Sequence, residues 1–123
     1  MNLDNISLAQ LSFLGDAVFD LLVRDYLINQ NVVKLKNLQE ESLKFVSAKR
    51  QAYFLEKLTE DNILTEEELD LVRRGRNIKT HKSPKNCDII TYKHATAFEI
   101  MIGYLYKQDK IRLKEIFDLI VKM

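Results

Sequence analysis

Along most of this chain apolar residues recur every three or four positions, the spacing of helices that bury one face. Leu8, Leu11, Leu14, Val18, Leu21 and Leu22 form the first such series, opened by Ser7, and it fades into a turn between Asp25 and Asn31. Asn37, with Glu40 three residues on, predicts an N-cap and a second helix. Its stripe of Leu38, Leu43, Val46, Tyr53, Phe54 and Leu58 continues to about Leu58. Thr65 followed by Glu66, Glu67 and Glu68 predicts a capping box whose acids favour the positive end of a helix. That helix reaches about Arg76. The polar segment from Asn77 to Asp88 contains Pro84 and reads as a solvent-exposed loop. From Thr91 a long apolar run passes through Ala95, Phe98, Met101, Ile102, Leu105 and Tyr106. A last helix, Ile111 to Val121, packs Ile111, Leu113, Ile116, Phe117 and Ile120. With no repeat, low-complexity tract or linker, the pattern predicts one all-α domain over residues 1–123.

Composition supports that reading. A length of 123 residues suffices for a core without disulfide or metal staples. Hydrophobic residues at 46% and charged residues at 30% exclude a disordered chain. Gly 3 and Pro 1 leave few sites for tight hairpins, which favours helices. Cys87 has no partner cysteine, as suits a reducing cytosol, and a cytoplasmic location is expected. Met1 leads into Asn2, Leu3 and Asp4 with no basic segment, so no secretory leader is expected. No apolar run approaches the roughly 18 residues of a membrane span. The net charge of +1 says little, but its distribution says more. Arg73, Arg74, Arg76, Lys79, Lys82 and Lys85 follow one another with no acid among them. A basic segment on a nearly neutral chain points to a defined surface for an anionic ligand. Arg73 and Arg74 have a second reading, as neutralisers of the preceding helix's C-terminus.

Two acids stand where acids are expensive. Asp16 lies within Leu11 to Phe19 and Glu99 within Ala95 to Gly103, segments otherwise suited to a core. Burying an ionised carboxylate is costly without a cation or hydrogen bonds to compensate it. Each has a glycine nearby, Gly15 and Gly103. Glycine inside a helix costs about 0.8–1 kcal/mol relative to alanine. That cost is easier to accept if two helices, or a helix and a substrate, approach closely. The acids could cap or bridge internal polar groups. Alternatively, a hard cation could bind both, since Mg²⁺ needs only one or two protein carboxylates.

At this point the sequence resembles a known family. Phe13-Leu14-Gly15-Asp16-Ala17-Val18 is similar to the signature helix of ribonuclease III enzymes. The run from Ala97 to Tyr106 resembles their second metal-binding helix. Arg73-Arg74-Gly75-Arg76-Asn77, Pro84-Lys85-Asn86, Thr96-Ala97-Phe98-Glu99 and Phe45-Val46-Ser47-Ala48-Lys49 resemble the Mini-ribonuclease III branch. That is the short bacterial form without a double-stranded RNA-binding domain. Ser12 and Thr96 stand where full-length members usually carry further acids, and the short branch also lacks those acids. The carry-over is therefore limited to Asp16 and Glu99, as catalytic residues and Mg²⁺ ligands.

The resemblance implies a ribonuclease III-type helical domain that hydrolyses double-stranded RNA with Mg²⁺, leaving a 5′-phosphate and a 3′-hydroxyl. It implies a homodimer with one site per strand. Its natural RNA would be precursor large-subunit (23S) ribosomal RNA, with a large-subunit ribosomal protein as a candidate partner. The expected RNA contacts are Arg73, Arg74, Arg76, Asn77, Lys79, Lys82, Lys85 and Asn86. A catalytically silent RNA-binding module on the same fold is the alternative, but such a module would be expected to lose Asp16 and Glu99. Asp20 reads as a solvated or helix-pairing acid, His94 as an ordinary helix residue, and Lys49 as a surface lysine within reach of the site.

Overall fold

The computed structural model describes residues 5–78 and 87–123, and among them there are six helices and no strand. They are α1 (Leu8–Asn29), α2 (Leu35–Val46), α3 (Ala48–Glu60), α4 (Glu66–Arg76), α5 (Ile89–Gln108) and α6 (Lys110–Ile120). The start signals act as their chemistry requires. Ser7 and Gln10 form a reciprocal capping box on α1, and Thr65 and Glu68 form one on α4. Asp88 and Asp109 each accept a backbone N–H at the start of α5 and α6.

The stripe that runs from Leu38 to Leu58 is split between two helices. Ser47, at φ −64° and ψ 151°, is extended and ends α2; its side chain accepts from the Arg50 N–H and starts α3. The apolar spacing passes through this corner without a visible interruption, because the faces of α2 and α3 both turn towards the same core. Asn37 is not the N-cap of α2. That position is Lys34, which makes no side-chain cap bond.

α1 and α3 end alike. Asn31 (φ 63°) and Asn62 (φ 56°) take the left-handed conformation. Val32 then donates to the Leu27 carbonyl and Ile63 to that of Leu58, the 6→1 bond of a Schellman motif. Asparagine tolerates this conformation better than most residues.

α5 is the central element and packs on α1, α3, α4 and α6. Ala97, Phe98, Ile100, Met101 and Ile102 on it are fully buried. Phe19 from α1 meets Phe98 edge-on at 4.9 Å between ring centroids, and Phe54 from α3 lies 6.3 Å from Phe98. On the far side Arg112 of α6 grips Glu68 of α4 with two hydrogen bonds of 2.8 and 2.9 Å and donates a third, of 2.7 Å, to the Ile63 carbonyl. None of the described helices is long and apolar enough to cross a membrane.

Candidate active site

The crossing of α1 and α5 is set by two glycines. A Cβ on Gly15 would lie 1.7 Å from the Glu99 carbonyl oxygen, and one on Gly103 would lie 2.2 Å from that of Leu11. No side chain fits at either point, so the two backbones touch. Asp16 follows Gly15 and Glu99 precedes Gly103 by one turn. Close approach of the backbones therefore brings the two carboxyl groups within hydrogen-bonding contact.

Their surroundings differ. The turn of α1 that buries Leu11, Gly15, Val18 and Phe19 faces the core, whereas Phe13, Asp16 and Ala17 face outward. The expectation that both acids are buried therefore fails for Asp16, which is exposed. The acid sits in an apolar sequence whose outer face is itself apolar: Phe13 is 85% exposed and Leu21 67%. Glu99 is half-buried. Burial is the largest influence on its carboxyl and pushes it up; the hydrogen bond to Asp16 and the charge of Asp16 push the same way. The neutral polar side chains of Ser12 and Gln51 oppose them, and the net value is about 8. The Ser12 hydroxyl donates to Glu99 Oε1 at 3.3 Å.

A carboxyl group raised in this way beside a second one suits a hard divalent cation, which would take the place of the Glu99 proton. The donors are all oxygen, as Mg²⁺ prefers. Among the described residues no group of three or more His, Cys, Asp or Glu side chains converges as a metal site would. What the site offers is two carboxylates, and Mg²⁺ keeps its remaining positions for water and substrate.

Beside this pair a cleft of about 250 Å³ is lined by Ala9, Ser12, Gly75, Ile78, Tyr92, Lys93 and Thr96. Gly75 lets the last turn of α4 lie on α5: its Cβ would stand 3.1 Å from Ala97 Cα. Arg73, Arg74, Arg76 and Asn77 are exposed around that turn. Arg73 pairs with Asp70 on its own helix. Arg76 lines a separate cleft with Glu56, Glu60, Ile90 and His94. Lys79, Lys82, Lys85 and Asn86 lie outside the described residues. Asp20 pairs with Arg24 at 3.1 Å, as a helix-pairing acid would, and Lys49 is exposed.

Three contributors escaped the sequence reading. Ser12 drew notice only as a missing acid, and Lys93 carried no motif. Gln51 is 3% exposed. It had a signal: with Phe54, Leu55 and Leu58 it falls on the buried face of α3, at spacings of three, four and seven. A glutamine on such a face needs a polar partner.

The model of the ribonuclease III domain family matches residues 9–110. The chain superposes on the crystal structure of a Fusobacterium nucleatum protein with a TM-score of 0.84 at 33% identity, covering 98% of this chain and 95% of that one. It is 52% identical over 100 residues to the Mini-ribonuclease 3 of Brevibacillus brevis, spanning 81% of this chain and 73% of that protein. It is 44% identical over 100 residues to that of Staphylococcus aureus, spanning 81% and 75%. The chain belongs to the ribonuclease III family, within its Mini-ribonuclease 3 branch.

Proposed function

We propose that this chain is an endoribonuclease that hydrolyses phosphodiester bonds of double-stranded RNA, with Mg²⁺ held by Asp16 and Glu99. One observation carries the reading: two carboxyl groups from different helices are in contact, one of them with its pKa raised to about 8. A purely structural role gives no reason to press two acids together. When bound, Mg²⁺ supplies charge for the scissile phosphate and acidifies water. Asp16 presents its carboxylate at the surface, where a duplex can approach. Glu99 stays half-buried, with the Ser12 hydroxyl donating to it, and would hold the ion as a carboxylate. Arg73, Arg74 and Arg76 offer positive charge to backbone phosphates, and Lys79, Lys82 and Lys85 extend that charge in sequence. Binding through such contacts weakens steeply with salt.

The active unit is a homodimer in this reading. Phe13, Ala17 and Leu21 make an exposed apolar row beside Asp16, and a second copy covering it would bring two sites into two-fold relation. Two-fold symmetry suits a duplex whose strands are related in nearly the same way. Precursor large-subunit ribosomal RNA in the cytoplasm is the proposed substrate, with a large-subunit ribosomal protein as a candidate aid to its selection. The products would carry 5′-phosphates.

The test is Asp16→Asn on long duplex RNA with Mg²⁺ at low salt. The variant should keep its fold and its RNA affinity and cut nothing. Turnover like that of the wild type would refute the assignment.

A further inference from the structure

The cleft beside the two acids is lined unlike the hollows near it. Its volume of about 250 Å³ stays open because its wall is small at three points: Ala9 and Ser12 on α1 and Gly75 on α4. The α5 side carries Tyr92, Lys93 and Thr96, all half-buried. With Ser12 they supply hydroxyl groups and one ammonium, and no acid is among the lining residues. Other cations are taken up by carboxylates on their own helices: Arg24 by Asp20, Arg73 by Asp70 and Lys114 by Asp118. Two further hollows hold acids, Glu67, Glu68 and Asp109 in one and Glu56 and Glu60 in the other. A polyanion would meet like charge there. In this cleft it meets a lysine and neutral hydroxyls, which suit a phosphate and a ribose.

The cleft is continuous with the proposed ion site. Ser12 lines it and also donates to Glu99 Oε1 at 3.3 Å. Lys93 lies six residues before Glu99 on α5, a rise of about 9 Å. Successive phosphates of one strand advance roughly 3 Å along a duplex axis. A strand with its scissile phosphate at the ion therefore brings another phosphate to Lys93 within about three nucleotides of the cut. We infer that Lys93 is a substrate-binding residue that grips a backbone phosphate of the strand being cut, in this cleft beside the acids. This rests on the nuclease reading above and adds a residue outside the basic run from Arg73 to Lys85. A lysine serves such a contact as a point charge on a flexible stem.

The experiment measures binding of a short duplex RNA, with its cut site mapped by the wild type, to the Asp16→Asn protein across a series of salt concentrations. The same protein is then measured carrying Lys93→Gln, Lys93→Arg or Lys114→Gln, with the fold of each checked by circular dichroism. Lys93→Met serves if the glutamine variant does not fold. Lys93→Gln should weaken binding about threefold or more and flatten the salt slope by about 1 for each chain on the duplex. Lys93→Arg should restore both. Lys114→Gln, an equal loss of charge on α6, should change neither. A neutral methylphosphonate placed at each linkage near the cut in turn should weaken binding at one position, and Lys93→Gln should add no further loss there, the mark of a shared contact. Mn²⁺ binding to RNA-free Lys93→Gln should match that of the wild type, which puts the loss in the RNA grip and not in the ion site. Unchanged affinity and slope for Lys93→Gln, or an equal loss for Lys114→Gln, would overturn the inference and leave the nuclease reading standing. Absence of duplex binding by folded Asp16→Asn would bring down that reading and this inference with it.

Discussion

Glu68 and Glu99 are the same residue type, each withdrawn from water and each aimed at a partner on another helix. Glu68 faces Arg112. Burial would raise its carboxyl, but the hydrogen bonds and charge of Arg112 and the Thr65 backbone hydrogen bond outweigh burial and hold it below its ordinary value. Glu99 faces Asp16, and burial, hydrogen bond and charge all act in the raising direction. One site is complete as folded: a bidentate ion pair that also caps α4 and ties it to α6. The other, in the proposed reading, is complete only when a cation arrives. A buried carboxylate thus says little by itself. The sign of its partner separates a brace from a binding site.

The contrast breaks most sharply if the roles can be exchanged. Asp16→Asn should reduce duplex cleavage to background while leaving the chemical denaturation midpoint near that of the wild type. Arg112→Met should do the reverse. It leaves Glu68 buried without its cation, for which a cost of about 3 kcal/mol is expected. The folded fraction should still cut RNA at a near-normal rate. A normal midpoint for Arg112→Met would mean that the pair is ornamental.

Proton linkage sharpens the comparison through stability alone. The folded-state pKa of Glu68 is depressed, so its contribution is present above the unfolded value and is lost as pH falls through the lowered one. Wild-type stability should drop in acid below about 4.5, and Glu68→Gln should flatten that limb. Glu99 has the opposite sign. Its folded-state value is raised, so its contribution is full below the unfolded value and is lost as pH rises towards about 8. Metal-free wild type should therefore weaken between mildly acidic and mildly alkaline pH, and Glu99→Gln should not. Parallel curves for the two proteins would remove the basis for treating the sites differently. The smallest effect is expected from Ser12→Ala. It deletes one hydrogen bond of 3.3 Å and should change stability by about 1 kcal/mol or less.

What could be read from residues alone was whatever rests on neighbours in sequence. The Thr65–Glu68 box announced α4, and Ser7 announced α1, because each cap closes within three residues. Asp16 and Glu99 stood out as acids beside glycines in apolar runs. The remainder depended on contacts made across the fold. Glu68 was visible as a helix-start acid, but Arg112 lies 44 residues further on. Asp16 was expected inside because its segment is apolar all round, and only the packing of α1 decides that Phe13 and Asp16 face out. The corner at Ser47 was hidden by a stripe that continues through it. Gln51 was hidden for the opposite reason: its polarity in that stripe was plain, but nothing nearby in sequence explained it.

The contact between Gly15 and the Glu99 backbone has one more consequence. Main chain resting on main chain works as a mechanical stop, so the gap between the two carboxyl groups is gauged by atoms every residue shares. Aromatic side chains in the interior can be exchanged over evolutionary time without altering that gauge. Any side chain at Gly15 or Gly103, even a methyl, would pry it open.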